Sequence, residues 1–343
     1  MDVQIYINKL IEKQDLTQEE SLSLMEEILR GTVSPVKLSL ILTALRMKGE
    51  SVDEIVGFIR SMRSHMLKIK TRGIVVDTCG TGGDGKGTFN ISTAVAFVVA
   101  GAGVKVAKHG NRSASSLCGS ADVLEALGIN INLSPIKAEE LLLKTNFTFL
   151  FAPVYHPAMK FVTPVRNELK TRTVFNFSGP FVNPAGVRRQ LIGVPNKNIA
   201  EKLAHVAVKL DYELLLIVAA DDGLDEISIC GKTHIYEIKN KKIQYKVISA
   251  EEFGIDEVSI EKLKGKDIKS NATIIKNILK GEEGPRRDIV LLNSAAALYV
   301  AGKVDGILDG LTLARQSLDT GSANLVLEKA ITSSSEKLNG LNH

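Results

Sequence analysis

Residues 1–70 carry apolar positions at helical spacing and no strand-like alternation. Thr17 with Glu20 reads as a capping box, and the periodic segment behind it stops at Gly31. Ser34 before Pro35 is an N-cap with proline at the first helical position. It leads into the apolar set Leu38, Leu40, Ile41, Leu42 and Leu45. Ser51 and Glu54 form a second capping box ahead of Ile55, Ile59 and Met62. The pattern predicts a compact helical domain over 1–70.

The texture changes at Gly73. Ile74 to Asp77 reads as a short buried strand, followed by a glycine-rich loop and an apolar helix over Thr93 to Val99. Further strands are predicted at Val104 to Ala107, Phe147 to Phe151, Leu214 to Val218 and Ile227 to Cys230. Helical patterns lie between them, which predicts an α/β domain over 71–343 with a largely parallel central sheet. Tyr236 to Ile238 and Ile243 to Ile248 read as an antiparallel hairpin. The stretch from Ile274 to Leu318 is helix-rich, and the polar tail after Ser333 is expected to fray.

Composition narrows the class. At 343 residues and 44% hydrophobic, the chain is long enough for one large and one small domain with sizeable cores. Aromatics make up only 5% and Trp is absent, so the cores must rest on aliphatic side chains. The net charge of +4 is spread out, and Lys239, Lys241 and Lys242 are the densest basic cluster. This argues for a solvated surface or local positive potential toward phosphates, and against nucleic-acid binding. Cys79, Cys118 and Cys230 are isolated, with no zinc spacing, and fit a reducing cytoplasm. The N-terminus lacks the regions of a signal peptide, and no apolar run is long enough to span a bilayer, so no membrane partner is expected.

Four segments carry candidate chemistry. Asp77-Thr78-Cys79-Gly80-Thr81-Gly82-Gly83-Asp84-Gly85 lies between a strand and a helix, where exposed backbone N–H groups can close on an anion. Asn90-Ile91-Ser92-Thr93 then opens the helix with capping side chains. The alternative is an ordinary tight turn. Lys108-His109-Gly110-Asn111-Arg112-Ser113-Ala114-Ser115-Ser116 follows the next strand, so both loops fall at one sheet edge. Its cations and hydroxyls suit a polyphosphate, unless it is simply a polar surface loop. Asp221-Asp222-Gly223-Leu224-Asp225-Glu226 can share a hard cation such as Mg²⁺, or can be an acidic turn. Arg166 can grip a carboxylate or make a structural salt bridge, and His156 before Pro157 is a cap or a site residue. Cys79 and Cys118 read as small fillers without a nucleophile's partners.

Taken in order, these segments resemble the anthranilate phosphoribosyltransferase family. The resemblance extends through Gly119-Ser120-Ala121-Asp122, His156-Pro157-Ala158-Met159, Arg172-Thr173-Val174-Phe175-Asn176, Gly179-Pro180, Asn183-Pro184-Ala185 and Asn293-Ser294-Ala295-Ala296. It covers nearly the whole chain. Lys170 departs from it, standing where the family usually has Gly, which puts the local helix end in question. The resemblance implies a helical domain built from 1–70 and a segment near 160–185, facing the α/β domain across a cleft, in a homodimer paired through the helical domain. It implies that phosphoribosyl pyrophosphate meets Gly80, Gly83, Asp84, Thr88, Asn90, Ile91, Ser92, Thr93, Lys108, His109, Gly110, Asn111, Arg112, Ser115, Ser116 and Ser120. Anthranilate would meet Gly80, Asn111, His156 and Arg166. Mg²⁺ would lie on Ser92, Asp225 and Glu226, with Lys108, Asp225 and Glu226 carrying catalysis. The two rival readings are a metal-free pyrimidine nucleoside phosphorylase and a non-catalytic nucleic-acid binder. The Asp225–Glu226 pair argues against both, and the Asn111–Arg112 loop argues against the phosphorylase.

Overall fold

The computed structural model describes residues 3–113 and 118–336. The N-terminal part is four helices: α1 (Gln4–Ile11), α2 (Gln18–Arg30), α3 (Pro35–Lys48) and α4 (Val52–His65). Both capping boxes form. Thr17 Oγ1 accepts from Glu20 N at 3.2 Å while Glu20 accepts from Thr17 N at 2.9 Å. Ser51 and Glu54 do the same at 3.2 and 2.7 Å. Each pair satisfies orphan N–H groups that would otherwise leave the helix start frayed.

The second part alternates strand and helix: β1 (Val75–Gly80), α5 (Ile91–Gly101), β2 (Lys105–Gly110), α6 (Ser120–Leu127), α7 (Pro135–Thr145) and β3 (Phe147–Phe151). After the short helices α8 (Ala152–Tyr155), α9 (Thr163–Leu169) and α10 (Val174–Ser178) come β4 (Arg189–Gly193), α11 (Lys197–Val208) and β5 (Leu214–Ala220). The hairpin β6 (Thr233–Lys239) and β7 (Lys242–Ile248) follows, then α12 (Ile268–Leu279), α13 (Pro285–Val300), α14 (Ile307–Asp319) and α15 (Ser322–Ser335). The strands form one sheet in the order β3-β2-β1-β4-β5-β6-β7. The first five are parallel, and β6 and β7 add antiparallel. The chain's winding therefore reverses between β1 and β4, which opens a crevice at the carboxyl ends of those strands.

Two apolar cores sandwich the sheet. On one side, α5 is buried all round by α13, α14 and α15. On the other, Ile192, Leu215 and Ile217 share a cluster with α11, with α1 to α4, and with Val162, Val165, Phe175, Phe177 and Phe181. Among the described residues, no helix is long and apolar enough to cross a membrane.

Several expectations need correction. Ile227 to Cys230 is not a strand. The amide of Asn293 brackets Ile227 instead, accepting from its N at 2.9 Å and donating to its O at 2.8 Å, so no strand partner is needed. β4, the neighbour of β1, went unread because Gln190 breaks a short apolar run. Ile74 is exposed, and β1 starts one residue later. The helix α15 continues to Ser335 because Ser334 is buried and accepts from Asn130 N at 3.1 Å.

Lys170 ends α9 in the left-handed region, at φ 47°. A Cβ is penalised there and glycine is not. Lys170→Gly is expected to stabilise the protein by about 0.5–1 kcal/mol, read as a higher urea midpoint with unchanged slope. A lower midpoint would contradict that account.

Candidate active site

The carboxyl ends of β1, β2, β4 and β5 bring three of the predicted segments together. Gly80 and Gly193 lie side by side in the sheet, and a side chain at either would overlap Asp225. Two glycines thus let the acidic turn after β5 lean over the crevice. Asp225 Oδ2 accepts from Gly82 N at 2.8 Å, and Glu226 Oε1 accepts from Ser92 N at 3.1 Å. The acidic turn is therefore hydrogen-bonded to the glycine loop and to the start of α5.

These carboxylates sit badly without a cation. Burial pushes the pKa of Asp225 up, helped by the nearby Asp84 charge. Burial pushes Glu226 up too, helped by Asp225 and Asp84 and opposed by Lys108. Like charges this close, partly desolvated, are the arrangement that a divalent ion relieves. Among the described residues, no three His, Cys, Asp or Glu side chains converge to hold a metal by themselves. That fits Mg²⁺, which takes one or two carboxylates and draws its other ligands from water and substrate phosphates.

Lys108 is 1% exposed. Its Nζ donates to Thr78 O at 2.5 Å and Ser92 Oγ at 3.0 Å, so its charge lies beneath the loop rather than in the open crevice. Asp77, also buried, braces the strands. It accepts from His109 N at 3.3 Å, Asn183 Nδ2 at 2.9 Å and Gln190 Nε2 at 3.1 Å. Sequence reasoning gave Asp77, Asn183 and Gln190 no role. The available signal was a carboxylate and an amide in apolar strands, where burial demands partners.

The phosphate-loop candidates are placed unevenly. Among the described residues, Thr81 Oγ1, Asn90 Oδ1 and Thr93 Oγ1 are buried without a protein hydrogen-bond partner. Asn90 does not cap α5 as expected, because its Nδ2 donates to Cys118 O at 3.1 Å. Ile91 puts its side chain in the core and its N–H on Phe89 O, leaving little for a ligand. Thr88 bridges to Lys264 at the loop's far end. Gly83 and Asp84 sit on the open loop, while Gly110 is pressed against Ser120 and Phe149. Asn111 is exposed, and its carbonyl accepts from Ser120 Oγ at 3.3 Å. Arg112 is turned aside into ion pairs with Asp122 at 2.8 Å and Glu125 at 2.6 Å. Ser115 and Ser116 lie outside the described residues.

On the acceptor side, Arg166 lies 5.4 Å over the Phe175 ring. Among the described residues no hydrogen bond or ion pair engages its guanidinium, and burial lowers its pKa. His156 is buried, with Nε2 3.2 Å from His109 Nε2. His109 Nδ1 faces the Gly179 carbonyl at 3.2 Å and so carries that ring's hydrogen. Burial depresses both rings, His109 to about 3 and His156 to about 4. Groups held neutral below their unfolded value add stability that is present above about pH 6.5 and lost as pH falls toward their folded values. Each would contribute a slope of up to about 1.4 kcal/mol per pH unit between those limits. A His109→Gln/His156→Gln variant should therefore show a flatter loss of urea stability from pH 7 to 5 than wild type. Parallel curves would dismiss this assignment.

The chain matches the glycosyl transferase family helical bundle domain over residues 4–66 and that family's a/b domain over 72–324. It is 49% identical over 318 residues to the anthranilate phosphoribosyltransferase of Thermoanaerobacter sp., covering 92% of this chain and 94% of that relative. The chain belongs to the anthranilate phosphoribosyltransferase family. The family enzyme of Dehalococcoides mccartyi is 47% identical over 336 residues, covering 97% of this chain and 98% of its own length. The crystal structure of the Thermus thermophilus anthranilate phosphoribosyltransferase superposes with a TM-score of 0.91 at 39% identity, covering 98% of this chain and all of that one. The Saccharomyces cerevisiae anthranilate phosphoribosyltransferase, solved with phosphoribosyl pyrophosphate and Mg, superposes at 0.89 with 29% identity, covering 97% and 98%. The yeast anthranilate phosphoribosyltransferase has also been solved with 4-fluoroanthranilate.

Proposed function

We propose that this chain transfers the 5-phosphoribosyl group from phosphoribosyl pyrophosphate to the amine of anthranilate, releasing pyrophosphate. The carrying observation is the acidic pair Asp225–Glu226, hydrogen-bonded to the glycine loop and to the start of α5 at the β1/β4 crevice. Bound Mg²⁺ on Ser92, Asp225 and Glu226 would supply positive charge to the leaving pyrophosphate. The chain's own residues do the rest. Loop N–H groups and Lys108, acting from beneath Ser92, oppose the charge that builds on the leaving oxygens. An arylamine is neutral and nucleophilic near pH 7, so positioning matters more than a strong base. Among the described residues Arg166 pairs with no carboxylate, and it would hold that of anthranilate, with Asn111, Gly80 and His156 as the other acceptor residues.

The decisive measurement is loss of anthranilate fluorescence with phosphoribosyl pyrophosphate, in Mg²⁺ and then in excess EDTA. Loss requiring both donor and metal is expected. Activity on phosphate plus uridine, indifferent to EDTA, would favour the phosphorylase reading.

A homodimer through the helical domain fits the same reading. Val36, Leu40 and Met47 lie on one face of α3, and Val36 and Met47 are 80% and 78% exposed; Ile5, on the helix α1 that packs against α3, is 57% exposed. Solvent-facing apolar stripes of this kind mark protein contacts. Val36→Glu/Met47→Glu is expected to shift the protein from dimer to monomer in sedimentation velocity, and an unshifted dimer would point to another interface. The cleft reading also divides the chain into 1–70 and 71–343, with the 160–185 segment moving with the first. The packing of α9 on α3, and of α10 on α3 and α4, supports that division.

A further inference from the structure

The segment Arg172 to Asn176 entered the resemblance without a role. Arg172 follows the left-handed Lys170, and the next turn is pinned where Thr173 N donates to Asn176 Oδ1 at 2.9 Å. From there its Nη2 reaches the glycine loop, donating to Gly82 O at 3.1 Å and to Gly83 O. A side chain at Gly83 would overlap this guanidinium.

The ends of the loop are tied where Thr81 N donates to Gly193 O at 2.8 Å and Gly265 N donates to Gly87 O at 3.0 Å, which leaves its glycine middle to Asp225 and Arg172. Gly82, Gly83, Gly85 and Gly87 all have positive φ, between 67° and 71°, and carry no side chains to pack. Gly82 N is tied to Asp225 on one side, while the carbonyls of Gly82 and Gly83 are tied to Arg172 on the other. A loop of consecutive glycines loses much conformational freedom when it is fixed. Two cross-links from opposite walls of the crevice are what set which face the loop's N–H groups present.

We propose that Arg172 is a positioning residue for the sugar-donor loop: its guanidinium takes the Gly82 and Gly83 carbonyls and so aims the loop's N–H groups at the donor's pyrophosphate. The proposal rests on the function assigned above. It also joins the two substrates' sites, because α9 carries Arg166 toward the acceptor and the same segment carries Arg172 to the donor loop.

The test compares wild type, Arg172→Ala and Arg172→Lys in steady-state kinetics, with calorimetric titration of phosphoribosyl pyrophosphate in Mg²⁺ beside it. Arg172→Ala should raise donor KM and donor Kd about tenfold or more, as for loss of charged hydrogen bonds. The anthranilate KM at saturating donor and the melting temperature should stay near wild type, because the contact is solvent-exposed. Lysine, a single point charge, should restore only part of the effect, and added guanidinium chloride at millimolar levels should rescue the alanine variant. An unchanged donor KM would overturn the proposal. So would a fall in melting temperature with kcat and both KM values degraded together, which is the mark of a merely structural residue. If wild type failed to turn over, the assigned reaction would fall, while the calorimetric comparison would still judge Arg172.

Discussion

Glu226→Gln is expected to lower kcat by about 10²–10³-fold while stabilising the metal-free protein. The glutamine amide oxygen can still accept from Ser92 N, so the start of α5 keeps its bond. What disappears is a buried carboxyl whose ionisation burial, Asp225 and Asp84 resist and only Lys108 favours. Holding such a group away from its ordinary ionisation costs folding free energy, and replacing it with a neutral isostere returns about 1 kcal/mol or more. The same replacement removes a ligand from the cation that the leaving pyrophosphate requires. Asp225→Asn should act in the same direction. Steady-state rates across a Mg²⁺ titration, paired with urea melts in EDTA, separate the two effects. Full turnover at saturating Mg²⁺, or a less stable apo-protein, would remove Glu226 from the metal site.

Arg166→Ala is expected to raise the anthranilate KM by about 30–100-fold, with donor KM and stability close to wild type. A charge-assisted, two-pronged bond to a carboxylate is worth about 2–3 kcal/mol, which sets that range. Stability should hold because, among the described residues, the guanidinium has no ion pair to lose. Its stacking on Phe175 adds about 0.5–1 kcal/mol, and losing this is offset by releasing a half-buried charge. Analogues of anthranilate lacking the carboxylate should no longer distinguish the variant from wild type. An unchanged acceptor KM would sink this role for Arg166.

The family was legible because its chemistry is concentrated in short segments whose order survives in the chain. Gly80 to Asp84 and Lys108 to Arg112 each run off the carboxyl end of a strand, Asp225-Glu226 follows another, and strands of a parallel sheet deliver their ends to a common edge. Capping boxes at Thr17 and Ser51 were equally legible, since a cap is a local bargain between neighbours in sequence. Arg172 was visible as a motif residue but silent as to role, because its partners, Gly82 and Gly83, lie across the crevice.

Local order along the chain therefore determined the helical start, the alternating α/β body and the hairpin, and marked the loops as candidate anion sites. Periodicity and capping act over a few residues, and the sequence contains all of their partners. The tertiary structure alone decided that Gly193 makes room for Asp225, that Asn293 takes the place of a strand partner for Ile227, and that Lys108 sits beneath Ser92. It also decided that Arg112 turns away from the crevice while Arg172 turns into it. Each of these depends on polar atoms from distant parts of the chain being buried together, where an unmet hydrogen bond or an unpaired charge is costly enough to dictate the arrangement.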